Sequence, residues 1–302
     1  MSTTDRHTAI VTAAYGRRMQ LRLEDGTLVD ARIKGRELQP VCGDVVTAHP
    51  LVNEPEWLVT RIGKRRNELT RPNLRGRTEI LAANLDLLAA VCAPVPRPDW
   101  FIVDRYLCAA EQMGIDAIVV YNKADRGEPD AAHAAELDVY RSLDYPTLVC
   151  SAHSGLGLDS VRGELRNHTA IIAGQSGVGK SSLINVLTTS DQRTADVSGT
   201  RGEGRHTTVN TIMVPLPDGG WVVDSPGVRD YAPAIDDPAD VETGFREIHR
   251  LGQDCRFANC RHRREPDCAV LAALDKHSIS ARRYESYKRM MIMTEQRERR
   301  RY

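Results

Sequence analysis

The sequence lacks a net charge, because 41 lysine and arginine residues balance 41 aspartate and glutamate residues. A neutral chain has no overall field that attracts nucleic acid, so any surface that binds a polyanion has to be local. Long apolar runs are also missing, and residues 1–6 show no signal-peptide core. We therefore expect a cytoplasmic protein with no membrane partner.

The cysteine pattern does not indicate disulfide bonds in such a compartment. Four of the seven cysteines stand alone among apolar neighbours, which predicts buried packing: Cys42, Cys92, Cys108 and Cys150. The other three cluster with one histidine, as Cys255, Cys260, His262 and Cys268. Three thiolates and an imidazole at this spacing predict one structural Zn²⁺; free thiols beside a surface histidine are the alternative.

The pattern of residues 8–62 predicts short strands and no helix. Alternating or β-branched apolar residues fill 8–13, 19–24, 28–34, 44–48 and 57–62, with turn signals between them. Five short strands in about sixty residues predict an OB-fold barrel, an architecture that often binds RNA. A barrel that binds nothing has the same pattern, so the strands alone leave the ligand open.

Positive charge is concentrated in two places. Residues 61–77 hold seven cations against one acid, Glu68, and the tail from Arg282 holds eight against three. Either run is consistent with an ordinary solvated face or with contacts to a phosphate backbone.

A phosphate-binding loop is the most specific motif in the chain. The apolar run 169–173 predicts a buried strand, and a helical segment follows at 181–187. Between them the sequence has the form G-x-x-x-x-G-K-S, with the candidate binding residues Gly174, Gln175, Ser176, Gly177, Val178, Gly179, Lys180, Ser181 and Ser182. Strand, glycine-rich turn and helix form a cradle of backbone N–H groups for a polyphosphate, with Lys180 on the phosphates and Ser181 on Mg²⁺.

The end of the strand at 115–121 predicts the choice of base. It runs into Asn122-Lys123-Ala124-Asp125, and a carboxylate at Asp125 can accept both the N1–H and the 2-amino group of guanine. Adenine offers neither donor, so it would leave that carboxylate unpaired. Asn122 is expected to brace the loop and the Lys123 stem to pack on the base. Ser151 and Ala152, after the next strand, predict a second base-contacting loop in which the Ala152 N–H reaches O6.

Two further segments resemble the switches of a GTPase. Residues 189–205 lose apolar periodicity, which predicts a mobile switch, and His206-Thr207-Thr208 follows it. The later Asp224-x-x-Gly227 places Asp224 near Mg²⁺ and the Gly227 N–H near the γ-phosphate. Thr207 is our candidate for the Mg²⁺ shell, with Thr208 as the alternative.

The order of these motifs is permuted, because N-K-A-D and Ser151-Ala152 precede the P-loop instead of following it. We predict a multidomain chain with three parts: an OB-fold barrel at 1–68, an α/β circularly permuted P-loop GTPase at 69–240, and a helical zinc-binding domain with a basic tail at 241–302.

A barrel, a permuted GTPase and a Cys3His tail together resemble the bacterial ribosome small-subunit-dependent GTPase family, RsgA. The resemblance covers essentially the whole chain and rests on the motif order, the P-loop, His206-Thr207-Thr208, Asp224-Ser225-Pro226-Gly227-Val228 and the zinc-ligand set. It implies a monomeric GTPase that uses GTP/GDP and Mg²⁺, binds the 30S subunit and its 16S rRNA, and acts late in 30S maturation. It also implies that His206 takes part in hydrolysis stimulated by that subunit.

Two other functions fit parts of the pattern. A P-loop ATPase would share the phosphate loop, although Asp125 argues against it. A GTP-dependent RNA-binding switch acting on another ribosomal particle would share nearly everything else.

Overall fold

The structure is a computed structural model that describes residues 6–35, 37–72, 78–188, 211–224 and 237–301. The chain divides into two compact units. The first comprises Met1–Leu87, Leu158–Ile172 and Lys180–Tyr231, and the second comprises Leu88–Gly157, Ala173–Gly179 and Ala232–Tyr302. No helix within the described ranges is long and apolar enough to span a membrane.

The chain begins with a closed five-stranded barrel. Its strands are β1 (His7–Tyr15), β2 (Arg18–Leu23), β3 (Leu28–Ile33), β4 (Val45–Pro50) and β5 (Trp57–Ile62). They pair in the order β1-β2-β3-β5-β4, and β4 returns to β1. Alternate side chains fill the interior, where Val11, Leu21 and Val59 are completely buried. The predicted OB-fold barrel and its five strands are confirmed.

A β-hairpin follows the barrel, in a region where the sequence indicated only the run of positive charge at 61–77. Strands β6 (Glu68–Pro72) and β7 (Thr78–Ala83) pair antiparallel. Arg65 binds Asp44, a buried carboxylate that is distant in sequence, through its Nε at 2.7 Å. Arg66 pairs with Asp86 and Arg71 with Glu79. Much of the local positive charge is therefore neutralised by acids from outside the run.

The second unit opens with the predicted alternation of strands and helices. Its elements are β8 (Leu87–Cys92), α1 (Trp100–Met113), β9 (Asp116–Tyr121), a single 3-10 turn (Ala124–Arg126), α2 (Ala131–Ser142) and β10 (Thr147–Val149). The strands neighbour one another in the order β10-β9-β8, and β9 and β10 are parallel. Asp99 caps α1 by accepting from the Phe101 N–H, and Gly114 ends it in the left-handed conformation.

The chain then returns to the first unit through α3 (Leu158–Leu165), most of β11 (Thr169–Gly174), α4 (Lys180–Thr188), β12 (Thr211–Pro215) and β13 (Trp221–Asp224). Strand β11 runs parallel to β13, whereas β12 runs antiparallel to β13. Strand β12 also pairs with β1, with Ala13 opposite Ile212. The barrel and the strands that follow the P-loop therefore share one sheet.

The C-terminal helices pack against α1 in the second unit. They are α5 (Pro238–Thr243), α6 (Arg246–Gly252), α7 (Ala269–Asp275) and α8 (Ala281–Arg301). One apolar core joins Phe101 and Cys108 of α1 to Phe245, Ile248 and Tyr287. Because α1 contributes to this core, the C-terminal region does not bury its apolar side chains alone.

One arginine of the predicted basic tail, Arg283, is buried, and its neighbour Arg282 is partly buried. Arg283 is 1% exposed and donates to Asp104 of α1 and to both oxygens of Glu247 of α6. Arg282 donates to the other oxygen of Asp104 and to Glu136. The Tyr140 hydroxyl completes the set with a 2.9 Å hydrogen bond to Asp104. Buried charges require this degree of pairing, because each loses its hydration.

We expect Asp104→Ala to destabilise the protein by about 3–5 kcal/mol, because it leaves Arg283 buried without one of its two acidic partners. Urea unfolding followed by circular dichroism measures the change. Asp138→Ala is the matched control, since Asp138 forms an exposed pair with Arg141 and pairs of that kind contribute about 1 kcal/mol or less. Equal effects of the two substitutions would contradict the stabilising role of Asp104.

Candidate functional site

The P-loop backbone makes close approaches that only glycine permits. Gly179 has a φ of +93°, and a Cβ there would lie 2.6 Å from Nδ2 of Asn122. A Cβ on Gly174 would lie 2.2 Å from the Val91 carbonyl oxygen. The two glycines of the motif therefore let the loop pack against the ends of β8 and β9.

Asn122 and Lys123 hold the P-loop from the side. The Asn122 side chain is 1% exposed and donates from Nδ2 to the Val178 carbonyl at 3.0 Å. The Lys123 Nζ donates to the Gly177 carbonyl at 2.5 Å and to the Val95 carbonyl at 2.9 Å. The bracing expected of Asn122 is present, and the two contacts of Lys123 were not foreseen. Each of these contacts depends on a backbone carbonyl in a different loop, and the sequence does not show that the two loops are neighbours.

Asp125 is held by the next strand-end loop. The Ser151 hydroxyl donates to Oδ1 of Asp125 at 2.5 Å, and it accepts from the N–H groups of His153 and Ser154. The Ser151 hydrogen bond holds the pKa of Asp125 below its ordinary value, so the carboxylate is ionised at neutral pH. His153 contributes a weaker effect in the same direction, with Nδ1 at 3.8 Å from Oδ2.

The Ala152 N–H has a partner within the protein. It donates to Oδ1 of Asn122 at 3.0 Å, so the donor expected to reach the guanine O6 is engaged by the asparagine. The same asparagine amide thus joins the Ser151–Ala152 loop to Val178 of the P-loop. Spacing in the sequence does not reveal this bridge, because it depends on β8, β9 and β10 being neighbours.

The remaining predicted residues fall into two groups. Lys180, Ser181 and Ser182 begin α4, where both serines are exposed, and Asp224 ends β13 in the first unit. His206, Thr207, Thr208, Gly227 and Val228 lie outside the described residues.

The described part of this site has the chemistry of nucleotide recognition. An ionised carboxylate can accept two parallel hydrogen bonds from one edge of a purine. The loop beside it is a glycine-rich turn directly followed by a helix N-terminus, which favours a polyphosphate. Nothing in it resembles a nucleophile paired with a base.

The Cys3His cluster is assembled as the sequence indicates. The four candidate ligand atoms of Cys255, Cys260, His262 and Cys268 lie within 4.8 Å of one another. Nδ1 of His262 is 3.5 Å from the Cys255 sulfur and 3.4 Å from the Cys268 sulfur, and the two sulfurs are 3.7 Å apart. A tetrahedral Zn²⁺ with bonds of about 2.3 Å to sulfur and about 2.0 Å to nitrogen separates its ligands by about 3.5–3.8 Å. The donor set therefore fits zinc.

Helix α8 supports the loop that carries this cluster. The Tyr284 hydroxyl donates to the His262 carbonyl at 2.6 Å, and the Tyr287 hydroxyl donates to the Arg261 carbonyl at 3.2 Å. His262 itself has a φ of +55°, an uncommon conformation for a residue with a side chain. Tyr284 and Tyr287 are both buried, so they pack on the body of the protein.

Comparison with known proteins decides the family. The family model of the RsgA GTPase matches residues 62–233, more than half of the chain. A relative from Pseudomonas aeruginosa, named small ribosomal subunit biogenesis GTPase RsgA, is 39% identical over 287 residues, which cover 94% of this chain and 84% of the relative. The chain belongs to the RsgA GTPase family. A relative of the same name from Azotobacter vinelandii is also 39% identical, over 93% of this chain and 84% of its own length.

Solved structures support the same assignment. The crystal structure of YjeQ from Thermotoga maritima matches with a TM-score of 0.76 and 27% identity, covering 96% of this chain and 98% of YjeQ. YloQ, described as a circularly permuted GTPase, matches in fold with a TM-score of 0.75 at 24% identity, over 97% of this chain and 96% of its own. The predicted multidomain fold with a circularly permuted GTPase is confirmed. As a member of the RsgA family, the chain is a GTPase that uses GTP/GDP and Mg²⁺.

Proposed function

We propose that this GTPase binds the small (30S) ribosomal subunit and hydrolyses GTP there, late in the maturation of that subunit. The Asp125 carboxylate is the observation that supports the nucleotide assignment most strongly. Ser151 donates a hydrogen bond to it, and Asn122 and Lys123 of the same loop donate to carbonyl groups of the P-loop. The ribosomal partner is supported by the name of the relatives, small ribosomal subunit biogenesis GTPase.

Each part of the nucleotide has a proposed partner. Asp125 accepts from N1–H and the 2-amino group of guanine, and Ala152 shares its N–H between Asn122 and O6. The backbone of residues 174–179 and the Lys180 ammonium bind the phosphates. Ser181, Thr207 and Asp224 complete the Mg²⁺ shell, and the Gly227 N–H contacts the γ-phosphate. When bound, magnesium would neutralise charge on the phosphates that these residues hold.

His206 is the proposed catalytic residue. GTP hydrolysis needs a group that orients the attacking water, and Val228 has no polar side-chain atom with which to do this. An imidazole next to the switch threonines can accept a hydrogen bond from that water. His206 has no part in binding the nucleotide under this proposal.

The proposed rRNA surface is narrower than the sequence suggested. Arg65, Arg66 and Arg71 have acidic partners, and Arg282 and Arg283 belong to the buried network. Within the described residues, Arg61 and Lys64 of the basic run at 61–77 are exposed and have no ion-pair partner. We assign 16S rRNA contacts to this edge of the barrel and, separately, to Arg299, which is exposed near the end of α8.

The zinc ion is proposed as structural. Cys255, Cys260, His262 and Cys268 hold it, and its binding would stabilise a loop that has little regular structure of its own. Three domains at 1–68, 69–240 and 241–302, a monomeric state and a cytoplasmic location complete the proposal.

We expect Asp125→Asn to weaken GTP binding by at least about 100-fold, or roughly 3 kcal/mol, because the amide cannot accept both guanine donors. Binding of xanthosine nucleotides should strengthen in the same variant, since the amide N–H can donate to the xanthine 2-oxo group. Titration with fluorescent nucleotides measures both affinities. Unchanged GTP affinity would contradict the role of Asp125, and wild-type binding of ATP as tight as of GTP would favour a P-loop ATPase.

Stimulation of turnover by purified 30S particles, and not by 50S particles, is the expected outcome for the wild-type protein. His206→Ala should keep GTP and 30S binding but lose about 100-fold in the stimulated rate, on the order of 3 kcal/mol in the barrier. Phosphate release measured with 30S, 50S and 70S particles tests both statements. Stimulation by 50S alone would favour the alternative ribosomal particle, and normal stimulated turnover in His206→Ala would remove the catalytic assignment.

A further inference from the structure

The zinc-ligand histidine has a second ring nitrogen that faces a carboxylate. Nδ1 of His262 points at the sulfurs, which leaves Nε2 on the far side of the ring. His262 is 1% exposed, and its Nε2 has no hydrogen-bond partner among the described residues. Oε2 of Glu242, on α5, lies 3.5 Å from that nitrogen.

A bound metal fixes where the proton on this ring must be. If Nδ1 gives its lone pair to Zn²⁺, the proton is on Nε2, and a buried N–H without an acceptor is costly. We propose that Glu242 is a positioning residue for the zinc centre: its carboxylate accepts the His262 Nε2–H, fixes the tautomer and orientation of the ring, and strengthens Nδ1 as a ligand. This inference rests on the proposed zinc site.

Gly252 supplies independent evidence, because it leaves room for the contact. A Cβ at this position would lie 2.7 Å from Oε1 of Glu242 and 3.3 Å from Nε2 of His262. Gly252 is the last residue of α6 and its φ is not in the left-handed region. Backbone conformation therefore does not require glycine here, and helix propensity alone favours alanine by about 1 kcal/mol. The space that the glycine leaves open is where the Glu242 carboxylate approaches the His262 imidazole.

A surface ion pair is the simpler explanation for Glu242, and it fits less well. Oε1 of Glu242 lies 3.9 Å from Nδ1 of His249, whose side chain is 48% exposed. Such a pair contributes little and does not need a fixed geometry. Glu242 lies closer to His262 than to His249, and the His262 ring is buried. A hydrogen bond from Nε2 to the carboxylate therefore stabilises the protein more than the ion pair with His249 does.

The contact also links separate parts of the second unit. Helix α5 is the first described element after the Asp224-x-x-Gly227 segment, and α6 carries Gly252. The loop with His262 comes later, between α6 and α7, and contains all four proposed zinc ligands. Glu242 therefore connects α5 with the loop that holds the metal ligands.

Zinc affinity of the full-length protein, measured by competition with a chromogenic chelator, tests the proposal. Glu242→Ala should weaken zinc binding about 10- to 100-fold, the usual range for such outer-shell partners. Glu242→Gln should recover part of that loss, because its carbonyl oxygen can accept from Nε2–H. Gly252→Ala should also weaken zinc binding, although alanine has a higher helix propensity than glycine. Glu285→Ala is the control, since Glu285 is exposed on α8 and pairs with Lys288.

A second readout separates positioning from general destabilisation. Nitrogen-15 spectra of the zinc-loaded protein should show His262 coordinated through Nδ1 with a proton on Nε2. In Glu242→Ala the Nε2–H should exchange faster with water while circular dichroism stays unchanged in excess zinc. Unaltered zinc affinity and Nε2–H exchange in Glu242→Ala would overturn the inference. Absence of zinc binding by the wild-type protein would instead remove the zinc site itself.

Discussion

The nucleotide site depends on the hydrogen bonds that Asn122 and Lys123 make with the P-loop backbone. A glycine-rich turn has many accessible conformations, and fixing it on ligand binding costs conformational entropy. Here Asn122 donates a hydrogen bond to the Val178 carbonyl, and Lys123 donates one to the Gly177 carbonyl. Asn122 also accepts a hydrogen bond from the Ala152 N–H. The loop that we propose to read the base is therefore also the loop that holds the backbone of the proposed phosphate cradle.

This arrangement explains why the permuted order of motifs does not disturb the site. The loops that follow β8, β9 and β10 meet at one edge because the strands are neighbours, whatever their order along the chain. Sequence could predict the motifs and the strand ends, since each depends on residues close together in the chain. It also predicted all five barrel strands and the Cys3His cluster for the same reason.

Contacts between distant segments could not be predicted in this way. The positive charge at 61–77 was counted against one local acid, but Asp44, Asp86 and Glu79 supply partners from elsewhere. Arg282 and Arg283 belong to a charged run that resembles a solvated tail, yet Asp104 of α1 pairs with both of them. Glu247 of α6 is the second partner of the buried Arg283. The hairpin of β6 and β7 was missed because the charged residues obscured the strand pattern. In each case the deciding partner lies far away in sequence.

Hydrogen exchange of the nucleotide-free protein tests the central claim, that Asn122 and Lys123 hold the P-loop before GTP arrives. We predict that Lys123→Ala, which removes both Nζ hydrogen bonds, speeds amide exchange across residues 174–179 by at least about tenfold, equivalent to about 1.4 kcal/mol of local stability. Exchange in β1 of the barrel should not change, and Lys64→Ala, at an exposed lysine beside the barrel, should affect neither region. Unchanged exchange across residues 174–179 in Lys123→Ala would contradict the account.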